Sequence, residues 1–90
     1  ITLVQLDQSE KAVQVYDELI SQFKDSKIEE IQGILAKAYF NNGVALGDLD
    51  QSEKAVQVYA EFISQFKDSK NEEIQDAITR ATKKIARNKL

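Results

Sequence analysis

Apolar residues recur along this chain at three- and four-residue intervals, in blocks separated by short polar runs, which is the pattern of amphipathic helices. The first full block carries Ala12, Tyr16, Leu19 and Phe23, with Val13 and Ile20 beside them. Ser9 is placed to cap it, and Glu10 falls in the first turn, where an acidic group suits the helix dipole. Lys24 suits its other end, and Asp25-Ser26 makes the turn. Ser26 and Glu29 then form a capping-box pattern ahead of a long helix predicted over 28–49. At helical spacing its core stripe is Ile31, Leu35, Ala38, Asn42, Ala45 and Leu49, flanked by Ile34, Tyr39 and Leu46. Gly43 and Gly47 lie inside this helix at a cost of about 1 kcal/mol each relative to Ala, which implies a neighbouring helix packed too closely for side chains. Asp50 is expected in the left-handed position that follows. Ser52 caps a helix to about Lys67, and Ser69 with Glu72 repeats the capping box. A last helix runs to about Asn88 on the stripe Ile74, Ala77, Ile78, Ala81 and Ile85.

The blocks repeat. Residues 7–16 and 50–59 both read DQSEKAVQVY, and from Asp7–Gln32 to Asp50–Gln75 only three positions differ: Asp17/Ala60, Leu19/Phe62 and Ile28/Asn71. A fixed offset of 43 residues signals stacked repeats that share one core. By the same offset residues 1–6 match Val44 to Leu49 and read as the end of a helix whose start is missing. A chain opening on Ile is accordingly expected to be cut from a longer one. The expected organisation is a single repeat domain over 1–90, with one repeat at 7–49 and a second at 50–90. The last helix departs from its counterpart: Tyr39, Phe40, Asn41 and Gly43 become Thr82, Lys83, Lys84 and Ala86. A repeat array must end in a helix whose outer face meets water, and this one fits.

The segment YFNNGVALGDLDQSEKAVQVY resembles the tetratricopeptide repeat. Tyr39 stands in the family's Trp place, Asn42 and Gly43 in its Leu-Gly place, and Leu46 in its Tyr place. Ala55 and Tyr59, and Ala12 and Tyr16 in the earlier copy, supply the A-x3-F element. Two features depart from the pattern. The period exceeds the family's roughly 34 residues, adding about a turn to each helix, and Lys24 and Lys67 occupy the place of the terminal Pro. The chain therefore looks like a long-repeat variant. The resemblance implies an all-α, right-handed α-solenoid of antiparallel helical hairpins with a C-terminal capping helix. It also implies a concave face built from the first helix of each hairpin, which in this family binds extended peptides or helices.

Composition narrows the chemistry. The chain has no Cys and no His, which removes the thiolate nucleophile, the sulfur metal site and the usual acid–base residue. There is no Gly-rich phosphate loop, and Glu29-Glu30 and Glu72-Glu73 are explained by the helix starts they occupy. No catalytic constellation, metal site or cofactor is expected, and the chain is not read as an enzyme. No apolar run approaches the roughly 20 residues that cross a bilayer, and the expected compartment is the cytoplasm. The net charge of −3 points to neither nucleic acid nor membrane. Residues 70–90, however, hold six basic and three acidic groups, against six and twelve before them.

The candidate binding face lies on the long helix. Phe40 and Val44 point away from the core stripe, with Lys37, Asn41 and Asp48 near them and Gly33 leaving a gap. An apolar pair framed by polar groups reads either as a docking surface for a protein or peptide, or as packing against a preceding hairpin. The resemblance adds that an Asn in the place of Asn41 can bond a ligand's backbone. Arg80, Lys83, Lys84, Arg87 and Lys89 form a basic end, read as a solvated cap because charge runs are usually faces. Asp76 and Arg80 are spaced to pair within that helix. Asn42, on the apolar stripe, is expected to bond a backbone carbonyl across the hairpin. The alternative to a binding module is a spacer or self-associating unit, docking through the apolar edge of Ile1, Leu3 and Leu6.

Overall fold

The computed structural model describes residues 3–88, without the side chain of Asn88. Four helices follow one another: α1 (Leu3–Phe23), α2 (Glu29–Asp48), α3 (Ser52–Phe66) and α4 (Glu72–Asn88). No strand occurs among the described residues. Each helix packs on the next in sequence, and α2 also touches α4. The Cα atoms span 38 × 30 × 17 Å, so the helices form a slab of stacked hairpins rather than a bundle around one axis. This is the all-α repeat architecture that the offset predicts.

α2 is the centre of the slab because it is covered on two sides. Leu35, Ala36, Ala38, Tyr39, Asn42, Gly43, Ala45 and Leu46 are all buried, a wider set than one stripe supplies. From the predicted stripe, Ile31 and Leu49 are only partly buried, and the flanking Ile34 is 55% exposed. The core is aromatic where α2 meets α3. The Tyr39 ring lies 6.1 Å from Phe62 and 6.2 Å from Phe66, and Phe62 lies 5.6 Å from Phe66. Such pairs add about 0.5–1.5 kcal/mol beyond the area they bury. Ile74 and Ala81 of α4 close the core on the far side of α3.

The glycines of α2 divide. A side chain at Gly43 would collide with the Tyr59 ring, which is the close approach that its cost implies. Gly47 has nothing within 4 Å, so close packing does not explain it. Gly47 belongs instead to the end of α2. The N–H of Asp50 donates to its carbonyl at 3.0 Å and that of Gln51 to Leu46 at 2.9 Å, the paired bonds of a Schellman motif. Asp50 takes φ 60°, the left-handed position expected of it.

Three local expectations fail. α1 runs unbroken from Leu3 to Phe23, so Ser9 lies within a helix rather than capping one, and residues 3–6 are continuous with it. The same ten residues at 50–59 do contain a turn, so the local signal is insufficient. A chain reversal at Asp50 is held by α2 and α3 packing on each other, whereas no described helix packs on α1 from its N-terminal side. Residues 1 and 2 lie outside the described residues. At the next helix start, Ser26 Oγ accepts from the N–H of Ile28 at 3.2 Å, and no side chain caps α2. Ser69 likewise accepts from Asn71 at 3.2 Å, and it is Asn71 that caps α4, its Oδ1 accepting from the N–H of Ile74 at 3.1 Å. α3, finally, begins at Ser52 itself, with Gln51 in the cap position and no side-chain cap bond.

Candidate functional site

The predicted face residues stand on α2, and the structure distributes them over three adjoining depressions. Lys37, Phe40 and Asn41 line a furrow of about 160 Å³ between α2 and α4, opposite Ile74, Ala77 and Arg80. Phe40 and Val44 floor the next depression along the same two helices, about 370 Å³, walled by Arg80, Lys83, Lys84 and Arg87. Val44 and Asp48 line a third, about 240 Å³, with Gly43, Tyr59, Lys84 and Arg87. Asn41, Val44 and Asp48 also border a separate groove between α1 and α2, about 530 Å³, that Gln8 and Tyr16 complete.

The side chains differ in how freely they face these spaces. Lys37, Asn41 and Asp48 are exposed, while Phe40 and Val44 are half-buried. Phe40 packs on the hairpin that follows it, with its ring 5.8 Å from Tyr59. It is therefore an apolar floor supported by α3 rather than a free surface ring. Tyr59 in turn sits over Gly43, and burial, with the Asp48 carboxylate adding to it, pushes its phenol up to about 12. Burial first, and then Glu61 and Asp25, raise the Tyr39 phenol. Tyr39 therefore keeps its proton and donates it to Gln65 Oε1 at 2.8 Å, while Gln65 Nε2 reaches the Lys24 carbonyl at 2.9 Å. That chain of bonds ties the turn after α1 to α3 and fixes α2 between them.

Among the described residues, Asn42 is the one non-aromatic polar side chain buried in the core, at 0% exposure. Its Nδ2 donates to Asp17 Oδ1 at 2.9 Å, so its partner is a carboxylate on α1 and not the backbone carbonyl expected. Its Oδ1 is buried without a partner among the described residues.

Arg80, Lys83 and Arg87 of the basic end are exposed, as a solvated cap requires, and Lys84 is half-buried. Arg80 does pair with Asp76 within α4, at 3.3 Å. But Arg80, Lys83, Lys84 and Arg87 are also the wall of the depression that Phe40 and Val44 floor. The 43-residue offset could have found them, because it superposes Arg80, Lys83, Lys84 and Arg87 on Lys37, Phe40, Asn41 and Val44. Equivalent faces of α2 and α4 thus meet across one furrow. Lys89 lies outside the described residues.

The tetratricopeptide repeat family model matches residues 1–26 and 34–69. The chain belongs to the tetratricopeptide repeat family. Repeats of this family are generally protein–protein interaction modules, and the family is a non-catalytic scaffold family whose domains typically bind proteins or peptides. In this tetratricopeptide chain no described helix is long and apolar enough to cross a membrane. No curated protein and no solved structure matches it.

Proposed function

We propose that this chain is a protein-interaction scaffold that takes a peptide or partner helix along the furrow between α2 and α4. Lys37, Phe40, Asn41, Val44 and Asp48 provide the contact face. The two repeats, 7–49 and 50–90, act as a single domain, with α4 closing the second. The observation that carries this reading is the half-buried Phe40–Val44 floor with exposed polar groups at its rim. An apolar floor excludes water from a bound side chain, and the rim supplies orientation.

The test is partner capture by the full chain and by two variants. Phe40→Ala with Val44→Ser removes the floor, although it also loosens the packing on Tyr59. Lys37→Ala with Asn41→Ala changes only exposed groups, so helicity by circular dichroism stays intact. Both variants are expected to lose capture, and undiminished capture by the second would remove this face from consideration.

One observation favours a second reading, self-association. α1 has no buried residue, and it displays Leu3 at 84% and Val4 at 66% exposure. Light scattering across a concentration series separates the two, because a chain that stays monomeric when concentrated has no use for that edge.

A further inference from the structure

We propose that Asn42-Gly43 is a self-modifying site held shut by the fold. When α1 leaves α2 and the end of α2 unwinds, the Asn42 amide converts to aspartate or isoaspartate, and α1 can no longer dock. The site lies in the buried interface of α1 with α2, so it stands apart from the groove reading.

The chemistry is in the sequence. Asparagine followed by glycine is the pair most prone to lose its side-chain amide, because glycine has no Cβ to shield its N–H and turns freely. Of the asparagines at 41, 42, 71 and 88, only Asn42 precedes a glycine. The second repeat lacks the pair, since the offset puts Ile85 and Ala86 in its place. Packing accounts for the glycine, because a Cβ at Gly43 would collide with the Tyr59 ring. The contact that requires glycine thus leaves a labile pair in the core.

The reaction uses only the chain and water. The Gly43 nitrogen attacks the side-chain carbonyl carbon of Asn42 and forms a C–N bond. Nδ2 leaves as ammonia, carrying the proton that the Gly43 nitrogen gives up, and a five-membered imide remains. One water then opens the imide at either carbonyl. One opening gives aspartate; the other gives isoaspartate, in which the chain runs through the former side chain.

Three features of the fold oppose that attack. Asn42 has 0% exposure, which keeps water away. Both residues lie inside α2, where the helical backbone turns the Gly43 nitrogen from the side-chain carbon and engages its N–H with the carbonyl four residues back. Nδ2 is also held by Asp17 Oδ1 at 2.9 Å. This latch has a weak side. Oδ1 of Asn42 has no partner among the described residues, and Asp17 belongs to α1, which has no buried residue and packs on α2 alone. α1 is therefore the element that opens at least cost, and Gly43 and Gly47 weaken the stretch of α2 behind it.

Conversion runs one way. A carboxylate at position 42 has no N–H to give Asp17, so two carboxylates would meet at a buried position with no donor between them. Isoaspartate adds a backbone atom and moves the last turns of α2 out of register with Tyr59. An opening long enough to react is thus recorded in the chain.

The test incubates the full chain at neutral pH, folded and in denaturing urea. Peptide mass spectrometry follows residue 42, and an isoaspartate methyltransferase assay gives a second readout. Conversion in the folded chain is expected to be at least about tenfold slower than in urea. Asp17→Ala changes an exposed residue and releases the latch. It should speed conversion of the folded chain about tenfold while leaving the rate in urea unchanged. Equal rates in the folded and denatured chain, or a faster reaction in urea at Asn41, Asn71 or Asn88, overturn the site. An unchanged folded-state rate in Asp17→Ala overturns the latch. Asn42→Asp stands in for the product, with docking of α1 read by hydrogen exchange. Exchange of the α1 amides should rise about tenfold, and adding Asp17→Asn should restore protection by returning an amide–carboxylate pair. Protection kept by Asn42→Asp alone, or not restored in the double variant, overturns the one-way step.

Discussion

Residues 7–16 and 50–59 are identical, yet they fold differently: the first lies wholly within α1, while the second turns at Asp50–Gln51 before α3 begins. Their burial differs as well. In α3, Ala55, Tyr59, Phe62 and Phe66 are buried between α2 and α4, whereas the equivalent Ala12, Tyr16, Leu19 and Phe23 of α1 are half-buried against α2 alone. Side chains identical at three of these four positions thus acquire different values from the number of neighbours that cover them. In a repeat protein most of a helix's stability resides in its interfaces, and the propensity of the segment is secondary.

The largest test of that contrast is truncation at the one aromatic difference. Phe62→Ala is expected to cost about 3–5 kcal/mol, the range for a fully buried ring. Leu19→Ala should cost less than half as much, because its site is already open. Urea unfolding of both variants measures the difference, and equal losses would mean that α1 is as well covered as α3.

A second test turns the tyrosine of one copy into that of the other. Gly43→Ala drives a methyl group into the Tyr59 ring and is expected to cost about 1–3 kcal/mol from overpacking, against a propensity gain of about 1. Tyr59 should then become more exposed, as Tyr16 is. Gly47→Ala meets nothing and should be stabilising or neutral, so thermal midpoints that move in the same direction would contradict the packing assigned to Gly43.

Caps come next. Asn71→Ala should lose about 1 kcal/mol with its bond to the Ile74 N–H, while Ile28→Asn installs the same cap on α2 and should gain a similar amount. The smallest expected effect changes sign between the copies. Asp50→Gly relieves a left-handed residue and should stabilise by a few tenths to 1 kcal/mol, whereas Asp7→Gly puts glycine inside a helix and should cost about 1. Asp7→Gly also removes the exposed pair with Lys11 at 3.2 Å. If both substitutions stabilised, α1 would have to break where α3 begins.

These contrasts mark what could be read from the chain. The helices and the order of hairpins follow from periodicity and the repeat, because Leu35, Tyr59, Phe62 and Ile74 report on local faces that any stacked arrangement must bury. The start of α1 could not be read, since Ser9 and Ser52 carry the same local signal and differ only in tertiary surroundings. Asn71 was readable as a cap whose side-chain oxygen accepts from the helix start, but was masked by the stronger pattern of Ser69 with Glu72. On the candidate face, the sequence picks out Phe40 and Val44 by their angle on α2. It does not show that α4 brings its cations across to them, because that depends on how two helices forty-three residues apart lie side by side.

The bond between Asn42 and Asp17 has one more implication. Near-duplicate helices pose a sorting problem: α2 could dock on α3's inner face in the manner of α1, and α4 on α1. The offset places Ile85 where α2 has Asn42, and Ala60 where α1 has Asp17, so each rightful couple is matched in polarity and each exchanged couple is not. Beside Ala60 the amide would lose its carboxylate partner, at about 1–3 kcal/mol for a buried donor left unmet. Two side chains out of ninety thereby act as an address label, telling near-twin segments which companion is theirs while the chain assembles.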